Sequence, residues 1–469
     1  MDYKYKRLGK NTVLVFIGNA GSKLIGLLLL PFYTKYLSPE EFGITDMIAV
    51  YASILLPIIT ACVTDGIFIF PKEANEEGRK KYFTSGLTFT IFTFVICSII
   101  FYEIDIIAGY SNHHSTFTDY IWWILVMTIS NFLQGYVQQF CRSIDKMVVY
   151  STTGVVQTIL LAGLAFVLVP HYGVVGYFWS LIIASILSTI YSFIFSYAYK
   201  YINMHSFDKK TLMVLLSYGL PLIPNSLMWW LVNGINRPLM ESRLGLYAIG
   251  LYSVAQRFPS MINLLYAIWG TAWGISVIEE YRKPDFSIFY DKMIRLMTVV
   301  IVLGGIALTS MSKVLVYIFA ATNYYDAWRY IPILTLAVIF QCVSSSVGGV
   351  FQAVKASKYF FYSSIWGALA SLIFTYLFIV FWGVMGASIA LCASFFCMLA
   401  SRLIYSRQYV VVQAKPLLFI FTIFIIQIII VVLDYSIVVT IISTIIALVL
   451  VVWQNLDLFK SIKNQIKSK

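Results

Sequence analysis

Charge is what this chain has least of. Only 12% of its 469 residues are Asp, Glu, Lys or Arg, while 60% are hydrophobic, and a soluble domain carries roughly a quarter of its residues charged. Water does not solvate such a surface, so a soluble enzyme is excluded. Histidine is scarce too, at four residues. His113 and His114 adjoin Ser111 and Asn112 in a polar stretch where sequence neighbours point apart, which reads as a solvated loop rather than a metal site. The cysteines Cys62, Cys97, Cys141, Cys342, Cys392 and Cys397 form no CxxC and no Cys/His ligand spacing, so they read as small buried apolar residues. Gly18-Asn19-Ala20-Gly21-Ser22-Lys23 lacks the spacing of a phosphate-binding loop. With no Ser/His/Asp or Cys/His set and no acid pair at helical spacing, the sequence offers no catalytic residue, no metal site and no cofactor.

Apolar runs are what it has. A bilayer core about 30 Å thick needs about 20 apolar residues per helical crossing, and such stretches recur near 12–34, 42–68, 82–102, 119–141, 148–169, 174–199, 211–236, 245–275, 293–312, 330–353, 360–381, 384–404, 416–433 and 436–455. The expected fold is an all-α integral membrane protein of about fourteen crossings. The first run follows a basic start, but it is too long for a signal peptide, contains Lys23 and lacks a cleavage site, so it reads as a retained helix.

The net charge of +12 is strung along the connections instead of forming one patch, which argues against nucleic acid. Lys4, Lys6, Arg7 and Lys10 precede the first run, and Lys460, Lys463, Lys467 and Lys469 follow the last. Both termini are therefore expected in the cytoplasm. Alternating the connections leaves Lys35, Arg237, Arg243, Lys313 and Arg329 outside, with Lys23 and Arg257 within helices; the remaining 26 of the 33 cations fall on the cytoplasmic side. That asymmetry supports the even count.

The halves repeat at an offset of about 210 residues. Gly173-Val174-Val175-Gly176 matches Gly383-Val384-Met385-Gly386, and Ser38-Pro39-Glu40-Glu41-Phe42-Gly43 has a weaker counterpart in Leu246-Tyr247-Ala248-Ile249-Gly250. Six helices per repeat gives both the same orientation, as in parallel-repeat transporters. The expected division is an N-terminal lobe over 1–205, a second lobe over 206–410, and a helix pair with a basic tail over 411–469.

An ionisable group near the bilayer centre costs about 2.5–3.5 kcal/mol or more, so each calls for a partner, a wet cavity or a function. Lys23 and Arg257 lie about 17 Å into their helices. Asn19 stands one turn before Lys23, and Gln256 adjoins Arg257. The cations either engage an anionic cargo by charge-assisted bonds or pair with acids such as Asp46 and Asp65. Pro221 and Pro224 are expected to kink the seventh helix, which also carries Asn225, Asn233, Asn236 and Arg237. Asn131, Gln134, Gln138, Gln341 and Gln352 read mainly as bonds between helices.

Pro31-Phe32-Tyr33-Thr34-Lys35-Tyr36-Leu37-Ser38-Pro39-Glu40-Glu41-Phe42-Gly43, then Asn236-Arg237-Pro238-Leu239 with Gly250-Leu251-Tyr252-Ser253-Val254-Ala255, carry a family resemblance. Tyr325-Asp326-Ala327-Trp328 before Pro332, and Lys355-Ala356-Ser357-Lys358, add to it. Over nearly its whole length the chain resembles the polysaccharide or O-antigen (Wzx-like) flippases of the multidrug/oligosaccharidyl-lipid/polysaccharide exporter superfamily. The resemblance implies alternating access between two lobes in the bacterial inner membrane. A cationic cavity would receive the diphosphate-sugar headgroup of a polyprenyl-diphosphate-linked oligosaccharide, while its tail stays in membrane lipid. Lys23, Arg257, Asn19, Gln256, Arg237 and Asn236 are the expected cavity residues, and Asp46 and Asp65 are candidates for ion coupling. Polysaccharide polymerase and chain-length machinery are candidate partners. Two departures stand out: family members often carry Asp-Arg where this chain has Asn236-Arg237, and Pro170 to Gly173 is matched by Val380 to Gly383. The competing expectations are a cation-coupled multidrug antiporter of the same superfamily and a membrane-embedded glycan polymerase or scaffold.

Overall fold

The computed structural model describes residues 25–111 and 114–458; these are helical nearly throughout, and no strand occurs among them. Hydrocarbon supplies no hydrogen-bond partner, so a crossing segment must close its own backbone bonds, as a helix does. Nine helical stretches among the described residues are long and apolar enough to span a membrane, and the chain is a multi-pass, all-α membrane protein.

Some of these stretches exceed one crossing. The Met147–Phe195 and Lys358–Ser406 helices have 49 residues each, about 74 Å of helix against about 30 Å of hydrocarbon. Each is divided at a glycine in a conformation that L-residues avoid: Gly173 with φ 54° and ψ −130°, and Gly383 with φ 56° and ψ −130°. Three residues later the chain passes so close to its own earlier turn that no side chain fits. A Cβ on Gly176 would lie 2.2 Å from the Leu168 carbonyl oxygen, and one on Gly386 would lie 1.9 Å from that of Phe378. Asp145 and Lys355 are both left-handed, with φ 61° and 56°. The next amide reaches back five residues in each, from Lys146 to Cys141 and from Ala356 to Phe351, at 2.8 Å, which ends a helix by satisfying its last carbonyls. All three pairs stand 210 positions apart, so the offset seen in the sequence is written into the backbone.

By its packing the chain divides after Trp230 into two compact units. In the first, the Pro39–Thr60 helix starts with a capping box. The Glu41 amide donates to Ser38 Oγ at 3.2 Å and the Ser38 amide to Glu41 Oε2 at 2.8 Å, with Pro39 in the first turn, where its missing N–H is harmless. The helix stops at Ala61 and Cys62, both left-handed, and resumes as Val63–Ile69. Gly219 packs against that break; a Cβ there would meet the Ala61 carbonyl oxygen at 2.1 Å. This close approach explains why the first unit takes in residues 206–230. The kink expected nearby is a tight turn at Leu220–Leu222, where Pro221 has no amide to donate. Val63, Ile67, Phe83, Phe94, Tyr136 and Phe140 form the core.

The third run, expected over 82–102, extends from Glu76 to Ser111. Its first turns carry Glu77, Arg79, Lys80 and Lys81, and an i,i+4 pair joins Lys81 to Glu77 at 2.9 Å. Polar helix ends escape a reading that counts apolar residues.

In the second unit Tyr290 knits the core: its hydroxyl reaches the Ser346 and Val347 carbonyls at 3.0 and 2.9 Å and accepts the Val350 amide at 3.2 Å. Those are the groups left open where the Ile331–Val347 helix gives way to Gly349–Ala353. The closing helices, Ala414–Val432 and Ile437–Gln454, are tied to Phe286–Ser310 and to the Ser312–Phe319 helix that follows it at three levels. Lys313 pairs with Asp434. Gln427 and Thr444 converge on Ser310 at 3.0 and 2.7 Å. Arg295 grips the Asn455 side chain at 2.6 Å, the Gln454 carbonyl at 2.9 Å and Asp457 at 3.2 Å. Ile441, Ile445 and Val449 stay exposed, as suits a face whose solvent is lipid.

Candidate functional site

The polar residues singled out in the second half gather around a helix that is broken twice. The Asn236–Arg257 helix contains Gly245 at φ 78° and ψ 178°, and it ends at Arg257, just before Phe258 and Pro259. Beyond them the chain continues as Ser260–Glu280. Pro259 brings no amide to the preceding turn. Discontinuous helices inside a membrane are where transporters expose polar groups to cargo.

Arg237, at the start of this helix, is 4% exposed. Its guanidinium donates to Asn236 Oδ1 at 2.8 Å, to the Asn233 carbonyl and to Gln256 Oε1, and it lies 4.9 Å from the centre of the Tyr252 ring. Asn236 in turn donates to the Tyr252 hydroxyl at 2.6 Å. A buried guanidinium demands such company, because each unmade hydrogen bond to a charged group is expensive. Asn236 supplies its amide oxygen to Arg237 and its N–H to Tyr252, a double duty that a carboxylate in its place could not perform.

Three of the expected residues, Asn236, Arg237 and Gln256, are therefore brought together. Arg257 follows Gln256 directly, yet consecutive helical residues point about 100° apart. Gln256 faces the knot, and Arg257 is exposed. The sequence reading set Arg237 in an outer connection, whereas the structure buries it inside a helix. Lys23 and Asn19 lie outside the described residues.

Of the candidate acids in the first unit, Asp46 is half-buried within Pro39–Thr60, and Asp65 is exposed on Val63–Ile69, beyond the break. Gln134 and Gln157 exchange amide hydrogen bonds at 2.5 and 2.9 Å, and Gln138 donates to the Tyr150 carbonyl at 3.0 Å. These two glutamines join helices, as expected. His114 meets Asp119 at 3.0 Å beside the capped turn Thr116–Asp119, and His113 is outside the described residues.

A family model described as polysaccharide biosynthesis protein matches residues 8–273, more than half of the chain. No curated protein matches it. Among solved structures it is similar to the lipid II flippase MurJ in an inward closed conformation, with TM-score 0.69, 16% identity, and coverage of 95% of this chain and 100% of that one. An inward-facing multidrug resistance MATE family transporter of the MOP superfamily gives TM-score 0.67, 15% identity, and coverage of 82% and 94%. A MOP superfamily transporter from Pyrococcus furiosus gives 0.53, 14%, and coverage of 84% and 92%. The fold is that of the MOP exporters.

Proposed function

Because the chain belongs to the polysaccharide biosynthesis protein family, we propose that it moves polyprenyl-diphosphate-linked oligosaccharide from the inner to the outer leaflet of the bacterial cytoplasmic membrane by alternating access. The product would feed O-antigen or capsular and exopolysaccharide assembly. The observation that carries this reading is Arg257: a cation exposed at the end of a half-helix, about 18 Å from the Gly245 break, in a chain whose solvent is lipid. A charge at that depth is stable beside water and an anion, not beside hydrocarbon.

In this reading Arg257 meets the diphosphate, whose oxygens match a guanidinium fork. Asn236, Arg237 and Gln256 hold the helix that carries it. Lys23 and Asn19, outside the described residues, are further candidates for cargo contact, and the polyprenyl tail remains in membrane lipid. Fourteen crossings and cytoplasmic termini go with this reading, as do the lobes 1–205 and 206–410 with their helix pair. Polymerase and chain-length proteins would act on the flipped product, and Asp46 or Asp65 would couple transport to an ion gradient.

The test is reconstitution in lipid vesicles with a polyprenyl-diphosphate sugar, measuring how much headgroup becomes open to a membrane-impermeant probe on the far side. Transfer by the wild-type protein that falls at least tenfold in Arg257→Ala supports the reading. Proton- or sodium-driven export of a cationic dye with no headgroup transfer would favour the multidrug antiporter instead.

A further inference from the structure

The second unit contains a buried cation outside the cluster of Asn236, Arg237 and Gln256. Arg402, inside the Lys358–Ser406 helix, is 1% exposed and is the largest fully buried side chain. Its Nε donates to Ser363 Oγ at 3.0 Å, and its guanidinium lies 5.0 Å from the centre of the Phe360 ring. Among the described residues no carboxylate pairs with it, and its four Nη hydrogens have no protein acceptor. Tyr266 and Tyr290 are the nearest groups with any claim to negative charge, and both hydroxyls are already engaged with the Ser346 region. Neutralising a guanidinium by losing its proton is not open to it, and a bare buried ion is unstable by several kcal/mol.

We propose that Arg402 holds a small monovalent anion of the halide class as a resident counter-ion of the second unit. Burial at 1% exposure sets the guanidinium apart from lipid headgroups at the surface, and one positive charge calls for one negative charge, which a halide-sized ion supplies on the forked Nη face alone. Hydroxyl donors complete such a site without competing for charge, and the Tyr266 and Tyr290 side chains are close enough to act on the guanidinium. The device belongs to one unit only. At the positions 210 residues earlier the first unit has Ser192 and Thr153, whose hydroxyls bond within their own helices at 2.9 and 2.7 Å.

The test does not involve cargo. The protein in detergent is melted in sodium chloride, bromide and gluconate at equal ionic strength, followed by tryptophan fluorescence. A saturable rise of a few degrees in halide over gluconate, absent in Arg402→Gln and partly kept in Arg402→Lys, is the expected result. Bromide-soaked crystals should give an anomalous peak beside Arg402, a readout that survives if Arg402→Gln fails to fold. Melting that ignores the anion together with no anomalous peak overturns the proposal and leaves a guanidinium solvated by water.

Discussion

The two units break their helices at matching positions but fill their interiors differently. Gly173 and Gly383 share one backbone conformation, Asp145 and Lys355 another, and Gly176 and Gly386 make the same close approach. Inside, the first unit joins helices with neutral groups: the Gln134–Gln157 pair, and the Tyr136 hydroxyl on the Phe83 carbonyl at 2.7 Å. Among the described residues the buried cations, Arg237 and Arg402, both belong to the second. A repeat therefore preserves what the backbone requires and leaves polar content free to diverge, because steric exclusion tolerates no substitute while a hydrogen bond can be made by several residue types.

The largest effect should come from the shared geometry. Gly176→Ala and Gly386→Ala each force a methyl group against a backbone carbonyl that cannot move aside, and each is expected to cost about 3 kcal/mol. Folded yield by size-exclusion chromatography should fall alike in both; loss in only one would end the equivalence of the units. The contrast in polar content comes next. Arg237→Ala strands Asn236, Gln256 and the Asn233 carbonyl, at about 2–3 kcal/mol, whereas Gln134→Ala should cost about 1 kcal/mol. Equal melting points for the two variants would erase the distinction.

Arg257→Ala sharpens the comparison within the second unit. It should lower stability less than Arg237→Ala does while abolishing vesicle transport, whereas Arg237→Ala loses both. A clear fall in melting point for Arg257→Ala would recast that residue as structural.

The smallest effect concerns the entry to the Lys209–Gly219 helix. Asp208 caps it, accepting from the Thr211 hydroxyl at 2.6 Å and amide at 2.9 Å, and these bonds hold its carboxyl below the ordinary value of 3.8. A lowered folded value means the cap is at full strength above pH 3.8 and weakens as pH falls through that lower value. The Thr211 amide resonance should shift in this acid window and stay put in Asp208→Asn, which keeps an acceptor without titrating. A shift that persists in the variant assigns the titration elsewhere.

Hydropathy made the helical class legible, because continuous apolar runs of about 20 residues close their backbone bonds in a membrane as helices, whereas barrel strands are shorter and alternate. The repeat was visible in two glycine tetrads, since left-handed turns and close approaches leave few residue choices. The site was legible only in part. Asn236, Arg237 and Gln256 were each singled out, but nothing in their spacing tells that Arg237 reaches across 19 residues to Gln256 while Arg257 turns away. Arg402 falls inside the apolar run near 384–404, but nothing in that run tells of its enclosure, which depends on helices packed around it from distant parts of the chain.

The amino-acid order alone determined that this protein lives in a membrane, where its helices break, and that two stretches share a plan. These follow from local forces: transfer of side chains out of water, and the steric limits on each residue's backbone. Which cations are enclosed and which are left open was decided by tertiary packing. A charge's surroundings in a low-dielectric interior are set by groups far away in sequence, and no local pattern records them.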